Sequence, residues 1–332
     1  LFFVLIFSLR KDKYKKIFFY IILICCIFVA LDNYIQFFFE RDVFGILKSG
    51  TRLTGPFGDN EYVSGSYLAK FSILILPIFL LNKKFSNLFI FSILVITLFF
   101  SVLITGERAS TLLFIIGTLI FYFLNDKSIK KSVILLSVFI LIGSLMTIYN
   151  NTIKYKFLQT SYQIGVIKYF DPYLDIPDHF KNYEGRGFFD SNHGAHFLTA
   201  FEIWKQNKLI GVGTKNFSQE CSKKKYEKIA SLNYKNRCSN HPHNFYLELL
   251  SENGIFGLTL FLLILFKIYK SFKYSSVNKN TFLNSSLSQT VVILWPIIST
   301  GSLISNFNGV FIWINLALLI SICEYGFKYE KK

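Results

Sequence analysis

Residues 88–125 read LFIFSILVITLFFSVLITGERASTLLFIIGTLIFYFLN, two long apolar runs that meet at a short polar turn. The turn is Thr105-Gly106-Glu107-Arg108. A helix of roughly 20 apolar residues crosses the hydrocarbon of a bilayer, which is about 30 Å thick. In lipid every backbone polar group needs an internal partner, and a helix supplies these partners within one segment. This stretch therefore predicts two membrane helices joined by a tight turn outside the lipid.

The same pattern recurs over most of the chain. Long apolar runs lie at 17–39, 66–82, 85–104, 109–125, 132–150, 250–268, 287–304 and 309–325. Residues 1–9 are apolar but too short to span the bilayer, and we interpret them as the end of a helix whose start is missing. Together these segments predict an all-α polytopic membrane protein with about nine transmembrane helices, in an N-terminally truncated chain.

The composition favours a lipid environment. Of 332 residues, 52% are hydrophobic and 17% are charged, and phenylalanine occurs 39 times. The formal charge is +16, but many lysines and arginines lie in short runs between apolar segments, as the positive-inside rule expects. Because they form no single basic stripe, we expect membrane lipids and no nucleic acid as partners.

The basic loops orient the predicted helices. Residues 10–16 are strongly basic, so we assign them to the cytoplasm. Counting crossings from there puts the other short basic segments on the same side: 83–84, 127–131, 267–279 and 328–332. Three segments are then expected outside: 40–65, 105–108 and 151–243.

The longest outside segment is predicted to be functional. It is too long for a simple connection, and its tyrosine, tryptophan and mixed charge favour a packed subdomain. We therefore predict N-terminal transmembrane helices at 1–150, a large periplasmic loop at 151–243 and C-terminal transmembrane helices at 244–332.

Two cysteines in this loop are candidates for a disulfide. Cys221 and Cys238 are 17 positions apart, and an oxidising periplasm favours their pairing. Such a bond stabilises the loop by about 3 kcal/mol. The rival interpretation is a metal site that includes His241 and His243. The remaining cysteines lie in apolar helices and are expected to be buried thiols: Cys25, Cys26 and Cys323.

His243 lies at the expected outer end of the membrane helix at 250–268. Pro242 limits helix entry before it, and Asn244 is a candidate N-cap. One interpretation is an interfacial histidine with a satisfied hydrogen bond. The other is a functional imidazole held at the membrane surface.

Arg108 and Arg52 are the candidate anion-binding residues. Arg108 starts a lipid-spanning helix, where it either extends to the headgroups or holds an anion that matches its guanidinium fork. Glu107 is its candidate ion partner. Arg52 lies in a turn-rich loop, for which a solvated loop is the alternative.

Two other polar patterns are discounted as sites. Gly211-Val212-Gly213 lacks the remaining glycines and the preceding strand of a phosphate loop, so we expect a tight turn. Three aspartates have spacing that fits neither a calcium loop nor the paired aspartates of nucleotide-sugar transferases: Asp171, Asp175 and Asp178. We find no strong metal motif and predict no metal and no cofactor.

These stretches together resemble the O-antigen ligase superfamily, which also contains O-antigen polymerases. The family carries His-Asn, nine residues and Gly-x-x-Gly after its large periplasmic loop. Here His243-Asn244 is followed by nine residues and then Gly254 and Gly257. Other stretches that resemble the family are Arg108 to Leu112, Arg52-x-x-Gly55 and Gly211-Val212-Gly213-x-x-x-Phe217.

The resemblance implies a membrane glycosyltransferase of lipopolysaccharide biosynthesis in the bacterial inner membrane. The implied donor is a glycan on undecaprenyl pyrophosphate, and the implied acceptor is a hydroxyl of a lipid A core sugar. Arg108, with Arg52 or Arg186, would hold the pyrophosphate. His243, with an ordinary pKa of about 6.5, would be the base, and Asn244 would orient it or help to bind substrate. Arg237 is a second candidate for a late loop arginine.

Three other functions remain open at this point. A polymerase of the same family would join glycan units on the lipid carrier and differ only in its acceptor. A secondary transporter would place polar groups within the bilayer, where Asp32 and Lys70 are the notable charges. A membrane scaffold without chemistry would tolerate changes at His243.

Overall fold

The structure is a computed structural model, which describes residues 2–48, 50–81, 88–163, 188–231, 233–275, 280–296 and 299–328. Within these ranges the regular structure is helical, and an isolated antiparallel bridge joins Arg41 and Leu47. The prediction of an all-α fold is therefore confirmed.

The helices of the N-terminal part are α1 (Phe2–Ser8), α2 (Asp12–Phe39), α3 (Ser64–Leu81), α4 (Leu88–Ile104), α5 (Arg108–Asp126), α6 (Ile129–Tyr149) and α7 (Asn151–Gln163). Those of the C-terminal part are α8 (Asn192–Gln206), α9 (Phe217–Cys221), α10 (Phe245–Ser275), α11 (Thr281–Ile293) and α12 (Asn306–Tyr325). Side-chain oxygens cap several helix starts by accepting from free backbone N–H groups, as Ser128, Ser191 and Asn280 do.

Several helices are suited to a bilayer. Within the described ranges, four stretches are long and apolar enough to cross one: Asp12–Phe39, Arg108–Asp126, Ile129–Tyr149 and Phe245–Tyr274. Shorter apolar helices cover Ser64–Leu80, Ile90–Ile104 and Gly309–Tyr325. The chain is therefore a membrane protein, while the count of about nine spans stays a prediction.

The chain forms two compact units. Unit 1 contains Leu1–Lys156, Ser271–Trp295 and Trp313–Lys332, and unit 2 contains Phe157–Lys270 and Pro296–Ile312. The predicted division at 1–150, 151–243 and 244–332 stays a prediction.

Unit 1 is held together by close packing between its apolar helices. Phe99, Phe114 and Phe139 come from α4, α5 and α6, and their ring centroids lie 4.5–6.1 Å apart. Gly117 lets α3, α5 and α11 approach closely, since a Cβ there would lie 2.2 Å from Ile73. Packing that binds helices in this way does not depend on water, so it persists in lipid.

Unit 2 has a small core of its own. Its fully buried members come from α8, α9 and the following turn: Ala200, Ile203, Phe217, Cys221 and Tyr226. Val212 and Leu247 pack against them. The polar segments of unit 2 therefore fold around an apolar centre.

The apolar run at 287–304 does not form one helix. α11 ends at Ile293, and the described residues between Pro296 and Ser305 are not helical. Proline removes a backbone donor and ends the helix. The released segment instead makes hydrogen bonds to the start of α10, where Thr300 N–H donates to the His243 carbonyl at 2.7 Å.

Candidate functional site

Two clusters of nitrogen-bearing side chains stand out, one in each unit. The first, called the cationic cluster here, consists of Arg52, Arg108 and Lys156. The second, called the imidazole cluster, consists of His193, His196 and His243.

The tight turn predicted at Thr105-Gly106-Glu107-Arg108 holds the segment that contains Arg52 beside the start of α5 in unit 1. Leu53 N–H donates to the Thr105 carbonyl at 3.2 Å. Gly106 has φ +73°, and a Cβ there would lie 2.9 Å from the Thr51 carbonyl oxygen. The turn therefore requires glycine, and its tight packing brings the Arg52 loop beside Arg108.

Gln36 of α2 fixes the same loop from the other side. Its Oε1 accepts from the N–H groups of Thr54 and Gly55 at 3.0 and 2.9 Å. Its Nε2 donates to Thr54 Oγ1 at 3.0 Å. Leu53, Thr54 and Gly55 are buried. The loop that follows Arg52 is therefore packed within the protein at these residues and is not a solvated loop there.

Arg108 and Lys156 are joined through the backbone. Arg108 Nη1 donates to the Lys156 carbonyl at 3.1 Å. The pKa of Lys156 lies below its ordinary value because of burial and the positive charges of Arg52 and Arg108. The three cations are therefore close enough to repel one another.

Arg52 has unused donor capacity. Its Nε is buried and has no hydrogen-bond partner within the described ranges. The guanidinium carbon lies 5.6 Å from the centre of the Tyr62 ring. A buried donor of this kind favours an incoming acceptor, since an unmade hydrogen bond costs about 1–3 kcal/mol.

Glu107 organises the start of α3. Its carboxylate accepts from the N–H groups of Gly65 and Ser66 at 2.8 and 3.0 Å and from Ser110 Oγ at 2.7 Å. Burial raises the pKa of Glu107, against these hydrogen bonds and the charges of Lys70 and Arg52. Glu107 thus supports the turn that carries Arg108.

The imidazole cluster brings two segments of unit 2 together. His193 and His196 are one turn apart on α8, whose first turn is capped where Ser191 Oγ accepts from Gly194 N–H at 3.0 Å. The His243 ring centre lies 4.9 Å from that of His193 and 5.1 Å from that of His196. His241 adjoins the cluster, with its ring centre 4.4 Å from that of His243.

The rings of His196 and His243 are neutral at ordinary pH. Burial and the neighbouring histidines lower the pKa of His243 to about 3. Burial and His193 lower the pKa of His196 to about 4, against the backbone carbonyls of Asn236 and Cys238. The pKa of His243 therefore lies below the value of about 6.5 that is ordinary for a histidine.

His243 is fixed by the residues that follow it. It has φ +55°, an uncommon conformation for a histidine. Asn244 Oδ1 accepts from the N–H groups of Tyr246 and Leu247 at 3.1 Å, and its Nδ2 donates to the Pro296 carbonyl at 2.7 Å. Asn244 therefore caps α10, so both ends of its side chain already have partners within the protein.

Gly254 and Gly211, from the two glycine motifs of the sequence, form one structure, called the glycine lock here. Gly254 interrupts α10 with φ +64° and ψ −165°. A Cβ there would lie 2.2 Å from the Leu209 carbonyl oxygen, and a Cβ on Gly211 would lie 2.3 Å from the Glu252 backbone. Backbone contact of this closeness requires glycine on both segments.

Hydrogen bonds from the 208–217 segment satisfy the interrupted helix. Ile255 N–H donates to the Lys208 carbonyl at 2.9 Å, and Gly213 N–H donates to the Glu252 carbonyl at 2.8 Å. The Glu252 carboxylate accepts from the N–H groups of Lys215 and Phe217 at 2.7 and 3.1 Å. The tight turn predicted at Gly211-Val212-Gly213 therefore holds the interrupted part of α10 in place.

A disulfide lies beside the core of unit 2. The structure joins Cys221 and Cys238, whose Cα atoms are 5.4 Å apart. Arg237 Nε donates to the Cys221 carbonyl at 3.0 Å, and its Nη2 lies 3.7 Å from Glu227 Oε1. Arg237 is therefore occupied in holding this segment.

Sequence reasoning missed three members of the clusters. Lys156 stands outside the family-like motifs, and its proximity to Arg52 arises from folding alone. His193-x-x-His196 carries a signal that could have been used, since helical spacing puts both rings on one face. Arg186 and the three aspartates of the acidic pattern lie outside the described residues.

The fold and both clusters define a membrane protein with polar sites held by loops at helix ends. The O-antigen ligase family model matches residues 93–262, which is more than half of the chain. The chain belongs to the O-antigen ligase family. No curated protein matches it.

Proposed function

We propose that the protein transfers a glycan from undecaprenyl pyrophosphate to a hydroxyl of a lipid A core sugar. The reaction takes place at the periplasmic face of the bacterial inner membrane, with residues 151–243 as a periplasmic loop. Membership of the family supports the reaction class. The observation that carries the proposal is the cationic cluster, because it supports a diphosphate-linked donor.

The electrostatics of the cationic cluster favour a dianionic group. Three cations share one region, and their repulsion helps to lower the pKa of Lys156. A diphosphate supplies compensating charge, and its oxygens match the guanidinium forks of Arg52 and Arg108. Arg186 remains a proposed additional contact.

Hydrogen bonds from Arg52 and Arg108 to the diphosphate also assist bond breaking. When the bond between the anomeric carbon and the diphosphate oxygen breaks, negative charge grows on that oxygen. Hydrogen-bond donors at this oxygen stabilise the growing charge more than they stabilise the bound glycan diphosphate. We assign this role to Arg108 and Arg52, with Lys156 as the third cation.

His243 is the proposed proton acceptor. The acceptor oxygen attacks the anomeric carbon, and the hydroxyl proton passes to a ring nitrogen of His243. This step needs a neutral imidazole with a free lone pair. Burial lowers the pKa of His243, which keeps its ring neutral and also makes it a weaker base than an exposed histidine. Asn244 is the positioning residue, because its cap fixes the backbone beside His243.

A reconstituted transfer assay tests these roles. We expect His243→Ala and Arg108→Ala each to lower transfer by about 100-fold or more, with the thermal unfolding midpoint in detergent unchanged. Arg41→Ala is the matched control, since Arg41 is an exposed arginine outside the cationic cluster. Full activity in either test variant would contradict the role assigned to that residue.

The glycan phenotype of a gene deletion tests the acceptor. Loss of glycan attachment to the lipid A core, with chain length preserved on the carrier, is the expected result. Single glycan units attached to the core would instead indicate a polymerase that uses the same donor.

A further inference from the structure

The proton that His243 takes in the proposed transfer leaves a positive charge on a ring that burial disfavours. Burial lowers the pKa of His243, because a charged ring is costly away from water. A neighbouring group with a bare lone pair would stabilise this charge by accepting a hydrogen bond from the ring. The imidazole cluster contains such a group in His196.

The ring of His196 has one nitrogen in use and one nitrogen to spare. His196 is 6% exposed, and its Nδ1 is buried without a hydrogen-bond partner within the described ranges. The backbone carbonyls of Asn236 and Cys238 accept hydrogen bonds from the same ring. The donor is therefore Nε2, which leaves Nδ1 as the lone pair of a neutral ring.

The segment that fixes this tautomer is itself held in place. The disulfide joins Cys238 to Cys221, and Arg237 Nε donates to the Cys221 carbonyl at 3.0 Å. Burial and the neighbouring His193 lower the pKa of His196 to about 4, so its ring stays neutral at ordinary pH. Nδ1 of His196 therefore remains a hydrogen-bond acceptor under working conditions.

The ring of His243 lies beside that of His196. The ring centres are 5.1 Å apart, the ring planes differ by 24°, and a ring nitrogen of each residue lies within 4.8 Å of the other. A hydrogen bond requires about 3 Å, which rotation of the half-buried His243 side chain provides. Hydrogen bonds in an active site are commonly long before substrate binds and shorten in the complex.

We propose that His196 is a positioning residue for the transfer, with Nδ1 accepting a hydrogen bond from the His243 ring. This inference rests on the proposed function, in which His243 takes the hydroxyl proton. The acceptor oxygen bonds to the anomeric carbon, and the diphosphate leaves with the electron pair of the broken bond. The hydroxyl proton bonds to one ring nitrogen of His243, and the proton on the other ring nitrogen stays there, hydrogen-bonded to His196.

The hydrogen bond acts before and after the proton moves. In neutral His243 it selects the tautomer whose other nitrogen keeps its lone pair for the acceptor hydroxyl. In protonated His243 it becomes a charge-assisted hydrogen bond, which is stronger than a neutral one. His196 therefore makes a buried ring a better base without taking its lone pair.

Two substitutions of His196 separate this role from a purely structural one. The glutamine of His196→Gln reaches the position of ring Nε2 and keeps a donor for the carbonyls of Asn236 and Cys238. The asparagine of His196→Asn ends near the position of ring Nδ1 and keeps an acceptor. A structural role predicts that transfer follows the thermal unfolding midpoint in both variants.

We expect the opposite order in a reconstituted transfer assay. His196→Gln should keep the unfolding midpoint of the wild type but lower kcat by about 30-fold, with little change in KM. His196→Asn should unfold at a lower temperature yet keep kcat within about fivefold of the wild type. In the His243→Ala background, His196→Gln should cause no further loss, because the two residues act as a unit.

The protonation of the rings can be measured without donor or acceptor. The sample is the full chain in detergent with ¹⁵N-labelled histidine. The chain has five histidines, so single substitutions assign their signals. We expect His196 to carry its proton on Nε2 and His243 to be a single tautomer in the wild type. His196→Gln protein should show both tautomers of His243.

The outcomes distinguish this inference from the proposed function. Full transfer by His243→Ala would contradict the proposed base and remove both. Lowered transfer by His243→Ala with full kcat in folded His196→Gln would overturn the inference alone, as would a His196 proton on Nδ1. His241 Nε2 is also buried without a partner within the described ranges. A loss of kcat in His241→Gln but not in His196→Gln would assign the hydrogen bond to His241 instead.

Discussion

The cationic cluster and the imidazole cluster are both built from nitrogen-bearing side chains, but they differ in charge. Arg52, Arg108 and Lys156 crowd positive charge, whereas the rings of His196 and His243 are neutral because burial lowers their pKa values. A crowded cation favours an anionic ligand, whereas a neutral imidazole keeps a ring-nitrogen lone pair for a hydrogen bond or proton from a hydroxyl group. The difference assigns the two clusters to different ligands.

The clusters also differ in how they are supported. Short backbone contacts at the Gly106 turn align the cationic cluster with the end of a membrane helix. The imidazole cluster lies in a unit that contains a glycine lock, a disulfide and a small core. We therefore expect the loss of a supporting feature in unit 2 to lower the free energy of unfolding. The loss of a cation in unit 1 is expected to weaken ligand binding.

The largest effect is expected from Gly254→Ala, which removes the glycine lock. The added Cβ would lie 2.2 Å from the Leu209 carbonyl oxygen, at a φ of +64° that alanine rarely adopts. We expect the free energy of unfolding to fall by roughly 4 kcal/mol or more. Thermal unfolding of the purified protein in detergent measures this change.

Gly143→Ala is the matched control for the glycine lock. Gly143 lies in α6, and a Cβ there would meet no atom within 4 Å. Alanine is the better helix former, so we expect equal or slightly higher stability. If both variants unfold alike, the glycine lock is not a support of unit 2.

The fold could be predicted from the sequence to a large extent. Apolar length alone indicated the helices that cross lipid, because lipid imposes a fixed thickness and leaves few backbone choices. The same rule gave a wrong helix at 287–304, where Pro296 and hydrogen bonds to the start of α10 outweigh hydropathy. Hydropathy carries no information about such bonds.

The candidate site could be predicted less fully. Arg108, Arg52 and His243 stood in recognisable motifs, whereas Lys156, whose charge interacts with that of Arg52, lies far from it in the sequence. Such a contact depends on the geometry of loops. The periodic pattern of apolar residues in a single sequence carries no information about that geometry. The lowered pKa of His243 likewise arises from neighbours that folding supplies.

The second prediction concerns the disulfide of unit 2. We expect Cys221→Ser with Cys238→Ser to lower the free energy of unfolding by about 3 kcal/mol, since the bond closes a loop of 17 positions. Unfolding in detergent with and without reductant measures the change. Cys323→Ser is the control: it keeps the disulfide, so its stability should match that of the wild type and fall with reductant as the wild type does. A reductant-insensitive wild type would contradict a stabilising bond.

The third prediction separates the cationic cluster from general basicity. We expect Lys156→Ala to weaken binding of a diphosphate-linked donor by about 10-fold, through loss of one cation beside Arg52 and Arg108. Lys154→Ala is the control, because Lys154 is an exposed lysine on the same helix. Titration measures the affinity for the donor, and this affinity should be unchanged in the control variant. Equal losses in both variants would indicate nonspecific charge.

The smallest effect concerns Glu220 in unit 2 and its dependence on pH. Burial, the largest single influence, raises the pKa of Glu220, but hydrogen bonds from Lys223, Lys225 and Tyr226 outweigh it and lower the pKa overall. A carboxylate with a lowered pKa stabilises the folded state above its unfolded pKa of about 4.5. That contribution is lost as the pH falls through the folded pKa.

Glu220→Gln should therefore lower the free energy of unfolding by about 1 kcal/mol at pH 7 and converge with the wild type in acid. Glu202→Gln is the matched control, since Glu202 pairs with Lys205 at 2.7 Å on the exposed side of α8. Thermal unfolding in detergent between pH 7 and pH 2.5 measures both variants. A difference for Glu220→Gln that stays constant over this range would mean that its carboxylate acts through packing. The charges around it would then contribute nothing to the stability of the unit that carries the imidazole cluster.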